Sequence, residues 1–114
     1  MDLDLAQGNF GGIAVLSATG ELDLATATLL QPALWTLIDD HAGASVVLDL
    51  RGVSSIDHLG IGIIVGGLAR AARHGGDVVL VLGPSRVLEL FQASRLDRAF
   101  SIHPTLLEAA SALR

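Results

Sequence analysis

Apolar positions along this 114-residue chain come in two alternating kinds, short β-branched runs and longer stretches at helical spacing. From Phe10, the text Gly-Gly-Ile-Ala-Val-Leu-Ser-Ala-Thr-Gly-Glu-Leu is β-branched, apolar and punctuated by glycine, which predicts one or two strands ending near Leu22. Residues 1–8 are read as a short edge strand before them. Leu29, Leu30, Ala33, Leu34, Leu37 and Ile38 then recur at helical spacing, so a helix is expected from about Ala25 to Asp40, capped by Asp23 or Thr26. Pro32 falls inside that pattern and marks either a kink or a later start. Residues 45–50 form a short apolar run bounded by turn residues, the signature of a central strand, and a polar loop follows.

Beyond that loop, Ile61, Ile64, Val65, Leu68, Ala69 and Ala72 make a helical apolar face that Gly75-Gly76 closes. Asp77 to Leu82 reads as the next buried strand. After the Gly83-Pro84-Ser85 turn, Ser85 as cap and Glu89 as first-turn acid open a helix carrying Val87, Leu88, Leu90 and Phe91. A short strand near Phe100–Ile102 and a last helix from about Thr105 to Leu113 complete the pattern. The expected fold is α/β: one domain over residues 1–114, a mixed, mostly parallel sheet of four to five strands, and about four helices joined by right-handed crossovers.

Composition sharpens this picture. Hydrophobic residues make up 51% of the chain but aromatic ones only 4%, so the core is built from Val, Ile, Leu and Ala, the mixture of a helix-covered parallel sheet. A net charge of −5, with no lysine and no basic run, argues against nucleic acid as a partner. The absence of cysteine removes disulfides, thiolate metal sites and thiol switches. The acidic start Met1-Asp-Leu-Asp-Leu is unlike a secretory signal, and the run from Gly60 to Ala69 is too short to enter and cross a bilayer, so a cytoplasmic protein with no direct membrane insertion is expected.

Several residues invite a chemical reading. Gly60-x-Gly62-x-x-x-Gly66 opens a helix after a strand, as a dinucleotide fingerprint would, but about nine residues separate it from Leu50 and no acid follows at the end of the next strand. Close helix-to-sheet packing of small residues is the preferred reading, and no cofactor is expected. His41, His58, His74 and His103 are scattered without metal-ligand spacing, so no metal site is expected either. His74 suits a helix C-terminus, and His58 reads as an exposed loop residue. No Ser-His-Asp set or Gly-x-Ser-x-Gly elbow supports hydrolysis, and no catalytic residue is assigned. Asp23 and Asp57 both fall at strand-to-helix junctions on the rim where α/β sheets place their sites, each as a helix cap or as part of a site.

Thr19-Gly-Glu-Leu-Asp-Leu-Ala-Thr26, then Val47-Leu-Asp-Leu-Arg-Gly-Val-Ser-Ser-Ile-Asp57, then Gly60-Ile-Gly resemble the anti-sigma factor antagonist branch of the sulfate transporter and anti-sigma antagonist (STAS) domains. Gly75-Gly-Asp-Val-Val-Leu, Pro84, Leu90-Phe91 and Leu96 extend the resemblance over nearly the whole chain. It implies a binding module rather than an enzyme. Its partner would be an anti-sigma factor, usually a serine kinase of the histidine-kinase-like ATPase fold, whose sequestration frees a sigma factor. Carried over residue by residue, the binding rim comprises Asp23, Thr26, Asp57, His58, Leu59, Gly60 and Ile61.

The departure from the family pattern lies at that rim. Relatives read Asp-Ser-Ser/Thr-Gly and are phosphorylated on the hydroxyl before the glycine; here His58 replaces the first serine and Leu59 the phosphoacceptor, between Asp57 and Gly60. A phosphate would add roughly −1.5 to −2 charges beside Asp23 and Asp57, and Leu59 removes that lever. Its alkyl group either reaches a partner, contributing on the order of 1.5–3 kcal/mol if buried, or turns inward under the loop. Ser54 and Ser55 are substitute acceptors by position, although turn and backbone hydrogen bonding suits them better. Two other readings remain: a STAS subunit of a membrane transport complex, and a small nucleotide-binding sensor using Gly60, Gly62 and the helix end. The edge strand is where two copies would pair as a homodimer.

Overall fold

Five strands lie side by side in one sheet in the order of the chain: β1 (Leu3–Phe10), β2 (Ile13–Leu22), β3 (Val46–Ile56), β4 (Val78–Val81) and β5 (Ile102–His103). The computed structural model describes residues 2–113. β1 runs antiparallel to β2 through the tight turn at Gly11-Gly12, and every later neighbour is parallel. Four helices join or follow the strands: α1 (Ala27–Asp40), α2 (His58–Arg73), α3 (Arg86–Ala93) and α4 (Leu106–Ala112), with a 3-10 turn at Leu96–Arg98.

The period of two along the strands divides the core. Leu16, Leu48, Leu50 and Leu80 face Leu30, Leu34, Ile64 and Phe91, so α1, α2 and α3 all cover one side of the sheet. Val15, Val47, Val79 and Val81 point the other way, where Ala109 of α4 meets them. On that second side Asp49 is buried and paired through both oxygens with Arg51, which shares its face two residues on. Between α1 and α2 the contact is close because glycines line it: a Cβ on Gly67 would stand 2.7 Å from Leu34 Cδ2, and one on Gly66 3.1 Å from the Trp35 ring. Arg70 fastens the outer edge of that pair, stacked 5.7 Å from the Trp35 ring centre and bonded to both carboxylate oxygens of Asp39. The hydrogen bonds from Arg70 hold the Asp39 carboxyl below the usual carboxylate range.

Beyond shifts of one or two residues at element ends, the observed elements differ from the predicted ones in four main respects. Phe10 ends β1 rather than beginning a strand, because the positive φ angles of Gly11 and Gly12 put the turn there. The predicted loop after Leu50 is strand: β3 continues to Ile56 against β2, with two register shifts, and only Asp57 separates it from α2. The polar pattern of that segment reflects a strand with an open edge and a solvent face, not a turn. Leu29 and Val65 were expected on buried helix faces and are 51% and 37% exposed. Finally, Pro32 lies inside α1 without ending it; it and Thr28, whose carbonyl loses its partner, are both exposed to water, while Leu30, Leu34, Leu37 and Ile38 bury the opposite face.

Two local devices set the end of the sheet from which α1 and α2 depart. Gly20 has φ +122°, and a Cβ there would collide with the Asp2 carbonyl oxygen, which accepts the Glu21 amide at 3.0 Å. Asp57 caps α2 through Oδ1, which accepts the Gly60 amide at 3.0 Å, while its Oδ2 accepts the Leu24 amide at 3.1 Å. One side chain therefore ties the β2–α1 junction to the β3–α2 junction.

Gly20→Ala is expected to lower unfolding stability by roughly 2–4 kcal/mol in urea titration, from backbone strain and overpacking together. Asp57→Ala is expected to cost about 2 kcal/mol and to speed hydrogen exchange at the Leu24 amide about tenfold. Asp57→Asn keeps an oxygen for Gly60 but turns its amino group on the Leu24 amide, so it should recover part of the stability while Leu24 exchange stays fast.

Candidate functional site

The C-terminal ends of the parallel strands form a rim, and the β2–α1 and β3–α2 junctions lie next to each other on it. In the first, Asp23 Oδ1 accepts the Ala25 and Thr26 amides at 2.9 and 3.1 Å, closing the turn that precedes α1. Thr26 does not cap α1 with its side chain; its hydroxyl accepts the Asp23 amide at 3.0 Å and donates to the Glu21 carbonyl at 2.8 Å. In the second junction, the Asp57 amide bonds the Leu22 carbonyl at 3.1 Å and α2 starts at once with His58. The two turns are thus knitted by main-chain and carboxylate bonds into one surface.

Exposure sorts the residues expected on this rim. Leu59 is 44% exposed, so its side chain faces solvent rather than filling the core beneath. His58 beside it is also exposed, and Asp23 and Asp57 are half-buried. Thr26, Gly60 and Ile61 lie beneath this surface: Thr26 is only 3% exposed, and Gly60 presses on Leu22 and Ile56, which leave no room for a Cβ. These three shape the rim and present little of themselves. One residue was missed. Leu24, between Asp23 and Ala25, is 74% exposed, and its amide is held by Asp57, two residues before Leu59. The available signal was a leucine inside an otherwise small and polar turn, where no helical face claims it.

Ser54 and Ser55 sit within β3 and are both exposed. The Ser54 hydroxyl donates to the Gly20 carbonyl at 3.2 Å, beside a point where the β2–β3 register slips. The glycines of α2 do not form one cradle: Gly60 packs on the sheet, Gly66 on Trp35, and a Cβ on Gly62 would meet nothing within 4 Å. At the start of α2, where an anion would bind, the Asp57 carboxylate already takes the Gly60 amide. His41 bonds the Leu37 carbonyl through Nδ1, His74 follows the end of α2, and His103 Nε2 lies 2.8 Å from Ser101 Oγ, with no carboxylate bonded to that ring among the described residues. Among the described residues no cluster of three or more His, Asp or Glu could hold a metal, and no helix is long and apolar enough to cross a membrane.

The shape of the rim also bears on what it can bind. Open α/β sheets make a ligand crevice where successive crossovers depart to opposite faces. Here α1, α2 and α3 all lie on one face and the strand order never reverses, so no such crevice forms at the two junctions. What remains is a surface with two exposed leucines beside two half-buried carboxylates, suited to another protein surface.

Comparison with known proteins agrees with this architecture. Residues 8–109 match the sequence profile of the STAS domain. The anti-sigma-F factor antagonist RsfB of Mycobacterium tuberculosis is 31% identical over 105 residues, which cover 90% of this chain and 83% of that protein. The crystal structure of an anti-sigma factor antagonist from Mycobacterium paratuberculosis superposes with a TM-score of 0.88 at 27% identity, covering 99% of this chain and 95% of the other. The unphosphorylated form of the anti-sigma factor antagonist SpoIIAA shares the fold, with a TM-score of 0.80 at 21% identity over 97% of this chain and 96% of its own. A profile match that runs from the end of β1 into α4 takes in β2 to β5 and both junctions, and the chain belongs to the STAS domain family.

Proposed function

We propose that this domain is an anti-sigma factor antagonist, a binding module that docks on an anti-sigma factor through the rim around Leu24, His58 and Leu59 and so releases a sigma factor. The names of its relatives support the partner class. The observation that carries the assignment of the surface is the outward position of Leu59 in the first turn of α2, between the Asp57 cap and the buried Gly60. Buried in a complex, that side chain contributes on the order of 1.5–3 kcal/mol, and Leu24 offers a second alkyl group on the same rim. Asp23 and Asp57 flank them, so the complementary face of the partner carries an apolar pocket with basic residues beside it.

The partner that fits the resemblance is a serine-kinase anti-sigma factor of the histidine-kinase-like ATPase fold, which would place both proteins in the cytoplasm. Leu59 stands where such a kinase would find its acceptor hydroxyl and has none to offer. Ser54 and Ser55 lie within β3 rather than in the turn where the family's acceptor stands, and the Ser54 hydroxyl is bonded to the Gly20 carbonyl. The domain therefore acts as a constitutively unphosphorylated antagonist, controlled by its amount rather than by modification at this turn.

Three measurements test this: phosphorylation, affinity and the identity of the protein retained in affinity capture. Incubation with the purified cognate kinase and ATP should leave residues 54–61 without added phosphate by mass spectrometry; stoichiometric modification there would overturn the unregulated state. Leu59→Asp should fold normally, since a carboxylate in a first helical turn is favourable, but should weaken the complex at least about tenfold in calorimetry. Unchanged affinity would remove Leu59 from the interface, and specific retention of a transporter ATPase subunit in place of the kinase would overturn the partner class.

A further inference from the structure

β3 is much longer than the strand beside it. β4 pairs with β3 only from Val46↔Val78 to Asp49↔Val81, so residues 51–56 have β2 on one side and, among the described residues, no strand on the other. Along that open side lies a groove of about 460 Å³, with Ser54, Ser55 and Ile56 of β3 forming one wall and Val87, Leu90 and Ala93 of α3 the other. The volume falls within the range of occupied binding sites.

We propose that this groove receives an extended peptide segment of the partner protein, added as a strand beside the open edge of β3 with an apolar side chain seated against Ile56, Val87 and Leu90. The identity of the partner rests on the function proposed above; the chemistry of the groove does not. A bare strand edge offers main-chain donors and acceptors at the spacing of another strand, and a helix lying alongside turns that edge into a trough, the arrangement that strand-addition modules use. A bound helix would leave the edge groups unpaired. The two charged side chains lining the groove, Arg86 and Glu89, have opposite signs, which suits a neutral main chain better than a small ion. Ile56 leads directly into Asp57, so a protein docked on the Leu24–Leu59 rim reaches the groove with a neighbouring stretch of chain.

The test uses the full chain as bait for a phage-displayed library of random short peptides, followed by titration of the selected peptides against the 15N-labelled protein. Selected sequences should alternate apolar and polar positions, and amide shifts should move in residues 51–56 and 86–93. Ala93→Arg, at an exposed position that fills the groove without touching the core, should weaken peptide binding at least about tenfold with an unchanged unfolding midpoint. Leu59→Asp should leave peptide binding unaltered, which separates this proposal from the rim: loss of anti-sigma binding with retained peptide binding faults the rim alone. Failure to select any peptide, shifts confined to other residues, or indifference to Ala93→Arg would overturn the groove assignment. A concentration-dependent dimer in sedimentation equilibrium that Ala93→Arg abolishes would overturn it too, by showing that a second copy is the occupant.

Discussion

The Asp57 carboxylate divides its two oxygens between two loops, Oδ1 going to the Gly60 amide of its own helix and Oδ2 to the Leu24 amide of the neighbouring junction. Both bonds are charge-assisted and both satisfy amides that helix starts and turns leave without partners. The positions of Leu24 and Leu59, which belong to segments 33 or more residues apart in the chain, follow from that one side chain. A cap in the ordinary sense would fix one helix; this one also fixes the distance between two.

Beneath the rim, the path of the chain decides what kind of site is available. Strands are added in chain order and α1, α2 and α3 all stay on one face, so the sheet never makes the reversal that opens a ligand crevice. The small residues of α2 serve packing instead: Gly60 settles on Leu22 and Ile56, and Gly67 on Leu34, which draws α2 onto the sheet and α1 together. With Gly60 and Ile61 turned inward and Leu59 turned outward, the start of α2 presents an alkyl group at a place whose dipole favours anions. Asp57 meets the electrostatic preference of the helix from within, and Leu59 is left free to make contacts of another kind.

The unequal lengths of β3 and β4 have a comparable effect at the other side of β3. Had β4 continued, Ser54 and Ser55 would lie in the middle of a sheet; because it stops at Val81, they lie on an edge facing α3. The rim and the groove are therefore consecutive along one strand. Asp57 is the point at which one surface gives way to the other.

Much of this was legible in the residues themselves. Alternation of β-branched runs with helical spacing predicted four to five strands and about four helices, since burial of one face imposes a period of two or 3.6 on any chain that folds this way. Caps at Asp57 and Ser85 were readable because a short acceptor before an apolar run has few other uses. The course of residues 51–56 was not legible: a strand with one partner and an open edge has the same polar composition as a loop, and only its pairing with β2 distinguishes them. Nor could the sequence decide which way Leu59 points, or that Leu24 stands beside it, because local pattern specifies which face of an element is buried but not which loops a distant carboxylate will bring together. The sequence by itself determined most of the elements, the caps at Asp57 and Ser85 and the family; the tertiary structure decided which side chains share a surface, since that depends on contacts between segments whose separation along the chain carries no local signal.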